Sequence, residues 1–137
     1  MDTATEYLRE VSAEMKGGYT FDCVTHACAL AKLLLEEGRQ PWIGRLREVR
    51  QVGEDVFHAP LIPTRFTGGL ARTWNTHYVC CVAGDVYDPI AGAPLPVGRY
   101  AETVFGRALP VDEHLSTEAT ADLLQRGELR QSFRRTG

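Results

Sequence analysis

Apolar residues recur at helical spacing in two segments near the start of the chain. Residues 3–15 place apolar side chains on one side and charged side chains on the other, which predicts an amphipathic surface helix ending at Gly17-Gly18. The segment from Cys23 to Glu37 has a broader apolar face, which is typical of a helix central to the core. Gly38 follows it as the natural C-cap.

Beyond residue 40 the pattern changes to strands. The runs "PWIGRLREV" and "EDVFHAPLI" each predict a strand, and "THYVCCVAGDVYDP" predicts a hairpin that turns around Ala83-Gly84. The segment "PTRFTGGLARTWN" is rich in turn formers, and "RYAETVFG" fits neither period clearly. A last helix is predicted in "STEATADLLQRG", capped by Ser116 or Thr117 and closed by Gly127.

The order of these elements predicts an α+β fold. Two helices precede several hairpin-linked strands, and a helix follows them, so we expect the N-terminal helices to pack on one face of an antiparallel sheet. The chain has 137 residues, of which 44% are hydrophobic, and this length suits one domain over residues 1–137.

Charge and hydropathy exclude several function classes. Eighteen acidic residues against 15 basic ones give a formal net charge of -3, which argues against general affinity for nucleic acid or for an anionic membrane. No apolar run is long enough to span a bilayer, and the N-terminus lacks the apolar core of a signal peptide. We therefore expect a cytoplasmic protein, while delivery as a secreted effector stays open.

The four cysteines are too few and too closely paired for a disulfide framework. We expect reduced thiols. Spacing assigns Cys28 and Cys81 to the core, and Cys80, on the other strand face, is expected to be more exposed.

Cys23 differs because it lies at the N-terminal end of its helix, where Thr20 or Asp22 can cap the first turn. The unpaired N–H groups and the positive end of the helix dipole favour a thiolate, which is the nucleophilic form. The same N–H groups can donate to an oxyanion.

A thiolate works best beside a base whose tautomer is fixed by a carboxylate or an amide. His77 opens one strand of the predicted hairpin and Asp88 ends the other, so an antiparallel return brings them to the same end of the sheet. A turn centred on Gly84-Asp85 would pair Asp88 with Cys81, whereas a turn at Val82-Ala83, or a bulge, would align it with His77.

Together, "DCVTHACALAKLLLEEGRQPWIGRL" and "HYVCCVAGDVYDP" resemble the transglutaminase-like branch of the papain-like cysteine hydrolases, between about Thr20 and Pro89. The resemblance implies a Cys23, His77, Asp88 triad on a helix packed against an antiparallel sheet. It also implies action on amide bonds without a cofactor.

The sequence departs from this family at two places. Val79 stands where an aromatic residue often follows the histidine, and no glutamine precedes Cys23. A second oxyanion donor is therefore sought among groups around Tyr19 and Thr20 or in the indole N–H of Trp74. Trp74 and Tyr78, with the residues around His77, are candidates for lining a substrate groove.

Other assignments compete for the same residues. Cys23, His26 and Cys28 are possible zinc ligands by type, but positions five apart on a helix point in different directions. His58 is an alternative base on a neighbouring strand. His114 lies in a polar segment and is expected to be solvated.

The leading hypothesis is a small cysteine hydrolase that acts on a protein or peptide, at a peptide bond, an isopeptide bond or a glutamine side-chain amide, through a thioester. By analogy of fold it would be a peptide-processing enzyme or a bacterial effector. The alternative is a non-catalytic binding module with the same fold.

Overall fold

The structure, a computed structural model, describes residues 2–15, 23–66 and 75–136. Its helices are α1 (Thr3–Glu14), α2 (Cys23–Glu36), α3 (Val97–Phe105), α4 (Thr117–Gln125) and α5 (Leu129–Thr136). Its strands are β1 (Trp42–Leu46), β2 (Glu48–Val52), β3 (Asp55–Ala59), β4 (His77–Val82), β5 (Asp85–Tyr87), β6 (Leu95–Pro96) and β7 (Asp112–Leu115).

Five strands form an antiparallel sheet in the order β6-β5-β4-β1-β7, and β2 and β3 form a separate ribbon. The expectation of one strand over "PWIGRLREV" is therefore wrong. Leu46 pairs with His77, the first residue of β4, and the chain then turns at Arg47 to pair with β3 instead. The pairing of β1 with β4 therefore ends at His77, the first residue of β4.

The predicted packing of the N-terminal helices on an antiparallel sheet is confirmed. The buried face of α2 contacts the sheet together with residues of α1 and α5; its sheet contacts include Ile43, Cys80 and Val82. The helix ends as predicted, because the N–H groups of Gly38 and Arg39 donate to the carbonyls of Leu35 and Leu34, both at 3.0 Å.

The opposite face of the sheet is covered by α3, which the sequence left unassigned. Tyr100, Val104 and Phe105 pack there in a cluster that includes Val79 and Cys81. Both faces of β4 are consequently buried. Its sequence therefore lacks the alternation of apolar and polar residues that would tell a buried face from an exposed one. Cys80, which was expected to be more exposed, is 0% exposed because α2 lies over it.

The hairpin between β4 and β5 has the predicted turn at Ala83-Gly84. Both residues have positive φ, 52° and 85°, as a two-residue turn that matches strand twist requires. This turn fixes the register, with Cys80 opposite Tyr87 and Cys81 opposite Val86.

The start of α4 also agrees with its sequence, since the Ser116 hydroxyl accepts a hydrogen bond from the N–H of Ala119 at 3.1 Å. Among the described residues, no helix combines the length and the apolarity needed to cross a membrane.

A substitution at Gly44 tests how closely β1 is packed in the sheet. A Cβ atom at this position would lie 2.6 Å from Cγ1 of Val111 and 3.1 Å from Sγ of Cys81. We expect Gly44→Ala to lower the free energy of unfolding by about 1–3 kcal/mol in urea denaturation, because the core there has no room.

Gly98 is the matched control. It lies on the exposed side of α3, and nothing is within 4 Å of an added Cβ. Gly98→Ala should raise the free energy of unfolding by about 0.5 kcal/mol. Equal urea midpoints for the two variants would contradict the packing described for Gly44.

Candidate active site

The structure brings together the three side chains that were singled out for chemistry. Cys23 is the first residue of α2, His77 is the first residue of β4, and Asp88 directly follows β5. The Cys23 thiol interacts with the His77 ring, and Nε2 of His77 lies 2.9 Å from Oδ2 of Asp88. Since Nε2 is taken by Asp88, Nδ1 is the ring nitrogen left for the sulfur.

The hairpin register explains how Asp88 reaches the histidine. The two alternative turns weighed for this alignment, at Gly84-Asp85 and at Val82-Ala83, do not form. Continuing the observed pairing puts Asp88 beside Val79, so that Asp88 and His77 are diagonal neighbours on one face of the sheet. Side chains that are long enough make contact at such diagonal positions. No bulge in this hairpin is needed to bring them together.

Asp88 is held by three donors although it is only 4% exposed. Besides His77, the Tyr100 hydroxyl donates a hydrogen bond to Oδ2, and the N–H of Ile90 donates to Oδ1 at 3.1 Å. Burial raises the pKa of this carboxyl, but the charge and hydrogen bond of His77 and the donors outweigh it, so the pKa is lowered. Asp88 is an ionised carboxylate in a buried site.

His77 is 1% exposed, and the Phe105 ring packs edge-on against it with centroids 5.6 Å apart. Burial lowers the pKa of the imidazole, whereas the Asp88 carboxylate and the Cys23 sulfur raise it, with a net result of about 9. The ring is therefore predominantly imidazolium at neutral pH.

Cys23 is half-buried at the first turn of α2. Burial raises the pKa of its thiol, but the hydrogen bond and charge of His77 and the backbone N–H of Tyr78 lower it, and the lowering prevails. A lowered cysteine pKa beside a raised histidine pKa favours a thiolate–imidazolium pair.

The remaining thiols have the opposite chemistry. Burial raises the pKa of Cys28 to about 11 and that of Cys81 to about 12, and it raises the pKa of Cys80 as well. Cys80 and Cys81 are buried and Cys28 is half-buried, and thiols of this kind serve in packing. Of the four thiols, Cys23 alone has a lowered pKa.

The other histidines lie elsewhere in the structure. His26 bonds through Nδ1 to the Tyr7 hydroxyl at 2.8 Å, and His58 lies exposed on β3. His114, expected to be solvated, is instead half-buried between the rings of Tyr78 and Phe133, because β7 joins the sheet there. Among the described ranges, no three metal-binding side chains come together.

The proposed substrate-contacting residues lie only partly within the described structure. Tyr19, Thr20 and Trp74 lie outside the described residues. Tyr78 is described, and its backbone N–H is one of the groups that lower the pKa of the Cys23 thiol. Its side chain contacts Phe133 on the sheet face opposite His77, so its hydroxyl is not directed at the Cys23–His77 pair.

Sequence reasoning missed Tyr100 and Phe105. Both belong to α3, and both contact the site from the face opposite α2. The available signal was the spacing of Tyr100, Ala101, Val104 and Phe105, which places four apolar residues on one side of a helix. A tyrosine on such a buried face needs an acceptor for its hydroxyl, and Asp88 supplies it.

Comparison of the chain with protein-family models, with curated proteins and with solved structures found no match.

The His77–Asp88 contact predicts the effect of Asp88→Asn. Burial lowers the pKa of the His77 ring, and the Asp88 carboxylate opposes that effect. Without the carboxylate, the pKa of His77 should fall from about 9 toward or below its ordinary value of 6.5. NMR titration of the histidine ring protons measures this change. Tyr100→Phe keeps the carboxylate and should leave the pKa of His77 well above 6.5. An unchanged His77 titration in Asp88→Asn would refute the assignment.

Proposed function

We propose that the protein is a cysteine hydrolase that cleaves amide bonds through a thioester, built on a papain-like or transglutaminase-like core. The observation that carries this proposal is the arrangement of Cys23 beside His77 and of His77 hydrogen-bonded to a buried Asp88. A thiol, a base and an orienting carboxylate in this order are the parts that nucleophilic acyl transfer needs.

In the first half-reaction the Cys23 thiolate attacks the amide carbonyl. Electrons move onto the carbonyl oxygen, which becomes an oxyanion. His77 then donates its proton from Nδ1 to the leaving nitrogen, the C–N bond breaks, and an acyl thioester remains on Cys23. Asp88 holds the ring in this orientation through Nε2 and stabilises the imidazolium before the proton is transferred.

In the second half-reaction the neutral His77 ring accepts a proton from water, and the hydroxide oxygen attacks the thioester. The products are a carboxylic acid and the regenerated thiolate–imidazolium pair. If an amine takes the place of water, the same steps form a new amide. A peptidase, an isopeptidase, a glutamine deamidase and a transglutaminase share this chemistry, and all of them would use a protein or peptide substrate.

The start of α2 supports stabilisation of the oxyanion. Cys23 is the first helical residue, and the first N–H groups of a helix have no acceptor within it. The N–H of Cys23 and its neighbours can therefore donate to an oxygen that develops negative charge next to the sulfur. None of these steps requires a metal or an organic cofactor.

The proposal predicts a Cys23-dependent product. The wild-type chain, incubated with a proteome-derived peptide mixture, should generate new termini, Gln-to-Glu conversions or new amide cross-links, detected by mass spectrometry. Cys23→Ala should abolish them, and His77→Gln should reduce them by about 100-fold or more. Cys28→Ala removes a thiol outside the triad and is the matched control.

The alkylation rate of Cys23 shows whether an absence of product means that the peptide mixture lacks the substrate or that the protein lacks a reactive thiol. Near pH 6, iodoacetamide should modify Cys23 about 100-fold faster than an ordinary thiol, because only the thiolate reacts. Alkylation of Cys23 at the rate of an ordinary thiol, together with no Cys23-dependent product, would favour the non-catalytic binding module.

A further inference from the structure

A polar cavity of about 390 Å³ lies on the sheet face opposite the His77 side chain. The polar side chains among its described lining residues are Arg45, Arg47, His58, Asn75, Thr76 and Tyr78. None of the described lining residues is acidic, and neither Cys23 nor His77 is among them. The cavity is therefore separate from the candidate active site, and its volume lies in the range of pockets that hold small molecules.

The sheet register explains why basic side chains collect at this cavity. Arg45 of β1 lies directly opposite Tyr78 of β4, and directly opposed residues place their side chains on the same face of a sheet. On that face Tyr78 packs against Phe133 of α5. Arg47 follows at the turn between β1 and β2, and His58 belongs to β3. The end of the sheet and the β2–β3 ribbon thus bring two arginines and a histidine together.

No acidic side chain neutralises the two arginines within the described part of the chain. Arg45 and Arg47 form neither a hydrogen bond nor an ion pair there, and Nε of Arg45 is buried without an acceptor. The neighbouring acid, Glu48, uses its two carboxylate oxygens for Arg50 and Arg107, at 2.7 Å and 2.8 Å. The positive charge of the cavity is consequently not compensated by its nearest carboxylate.

The strand partner of Arg45 on β7, Asp112, does not compensate the charge either. Asp112 is exposed and forms no ion pair with the described residues. The charge of Arg45 acts instead on His114, whose pKa is lowered by burial and then by Arg45. This effect on a neighbouring ring is what an uncancelled positive charge produces.

A guanidinium without an acceptor in a half-buried cavity is suited to an oxyanion, because arginine donates several N–H groups in a fixed fork. A phosphate monoester carries close to two negative charges and three acceptor oxygens at neutral pH. These match two arginines and the polar groups of Asn75 and Thr76 more fully than a single carboxylate does. We propose that this cavity binds a phosphate monoester. The site goes beyond the proposed function and does not depend on it.

Phenyl phosphate and benzoate are a matched pair of probes, since both attach an anionic oxygen group to the same ring. Calorimetric titration of the wild-type chain should show that phenyl phosphate binds at least about tenfold more tightly than benzoate. The affinity for phenyl phosphate should fall as salt is raised, because salt screens the attraction. Absence of phenyl phosphate binding, or equal affinity for the two probes, would overturn the proposal.

Substitution of the arginines tests where phenyl phosphate binds. Arg45→Gln should lower the affinity about tenfold, because charge-assisted hydrogen bonds are lost. The more exposed Arg47→Gln should lower it about threefold, and Arg47→Glu should abolish binding. The exposed position of Arg47 keeps the proposal testable if Arg45→Gln does not fold. Unchanged affinity in Arg47→Glu would contradict the site.

Arg126→Gln is the control for net charge. Arg126 follows α4, where it is bridged to Asp122 at 3.3 Å, and it does not line the cavity. This variant should bind phenyl phosphate as the wild type does. A loss of affinity as large as that of Arg47→Gln would show general attraction to a positive protein and would overturn the site.

The ring of His114 reports occupancy of the cavity independently. NMR titration of its ring protons should show a higher pKa when phenyl phosphate is saturating, because the bound charge offsets that of Arg45. In Arg45→Gln the pKa of His114 should already be higher without phenyl phosphate. If saturating phenyl phosphate leaves the pKa of His114 unchanged in the wild type, the assignment to this cavity is wrong.

Two further probes distinguish the sources of the monoester. A blocked glycyl-phosphoseryl-glycine peptide represents a phosphorylated side chain, and α-glycerophosphate represents a free small molecule. The probe with the lower Kd identifies the source. Weaker binding of both probes than of benzoate would overturn the proposal.

Discussion

The buried contact between His77 and Asp88 is the constraint on which the rest of the site depends. Both side chains are almost fully removed from water, at 1% and 4% exposure, and a charge in such a place needs a partner and satisfied hydrogen bonds. Tyr100 and Ile90 supply those bonds to the carboxylate. The ionised Asp88 then favours a protonated His77, and the protonated His77 favours a thiolate at Cys23.

The same chain shows how completely environment determines thiol chemistry. Cys81 lies two strand positions after Val79 on the face that carries His77, yet its pKa is raised to about 12 because burial acts without a cationic partner. Cys23 is also largely desolvated, but it has His77 and a helix N-terminus beside it. A lowered pKa thus comes from the partner and not from the position in the core.

Much of the fold was predictable because the apolar periodicity of a segment agrees with the glycines and turn-forming residues at its ends. The apolar face of α2, its closure at Gly38 and the Ala83-Gly84 turn are all encoded within a few residues, and each was confirmed. The grouping of Cys23, His77 and Asp88 was predictable from the ends of the elements that carry them. Tertiary pairing decided what the sequence could not: the break between β1 and β2, and the coverage of the second sheet face by α3.

The register of the hairpin illustrates the limit most clearly. The prediction from the sequence considered only residues directly opposite each other on the two strands, and these did not include His77 with Asp88. In the structure the two side chains meet at diagonal positions instead. The buried tyrosine was missed for a related reason: its partner is distant in the sequence by 12 residues and lies on another element.

The ultraviolet absorbance of the Cys23 thiolate, taken as the difference between the wild type and Cys23→Ser across pH, tests the central claim most directly. The account predicts thiolate absorbance already present near pH 6 and neutral pH, and its loss there in His77→Gln. Absorbance that appears only near or above the ordinary thiol pKa of 9.0, with or without His77, would contradict it.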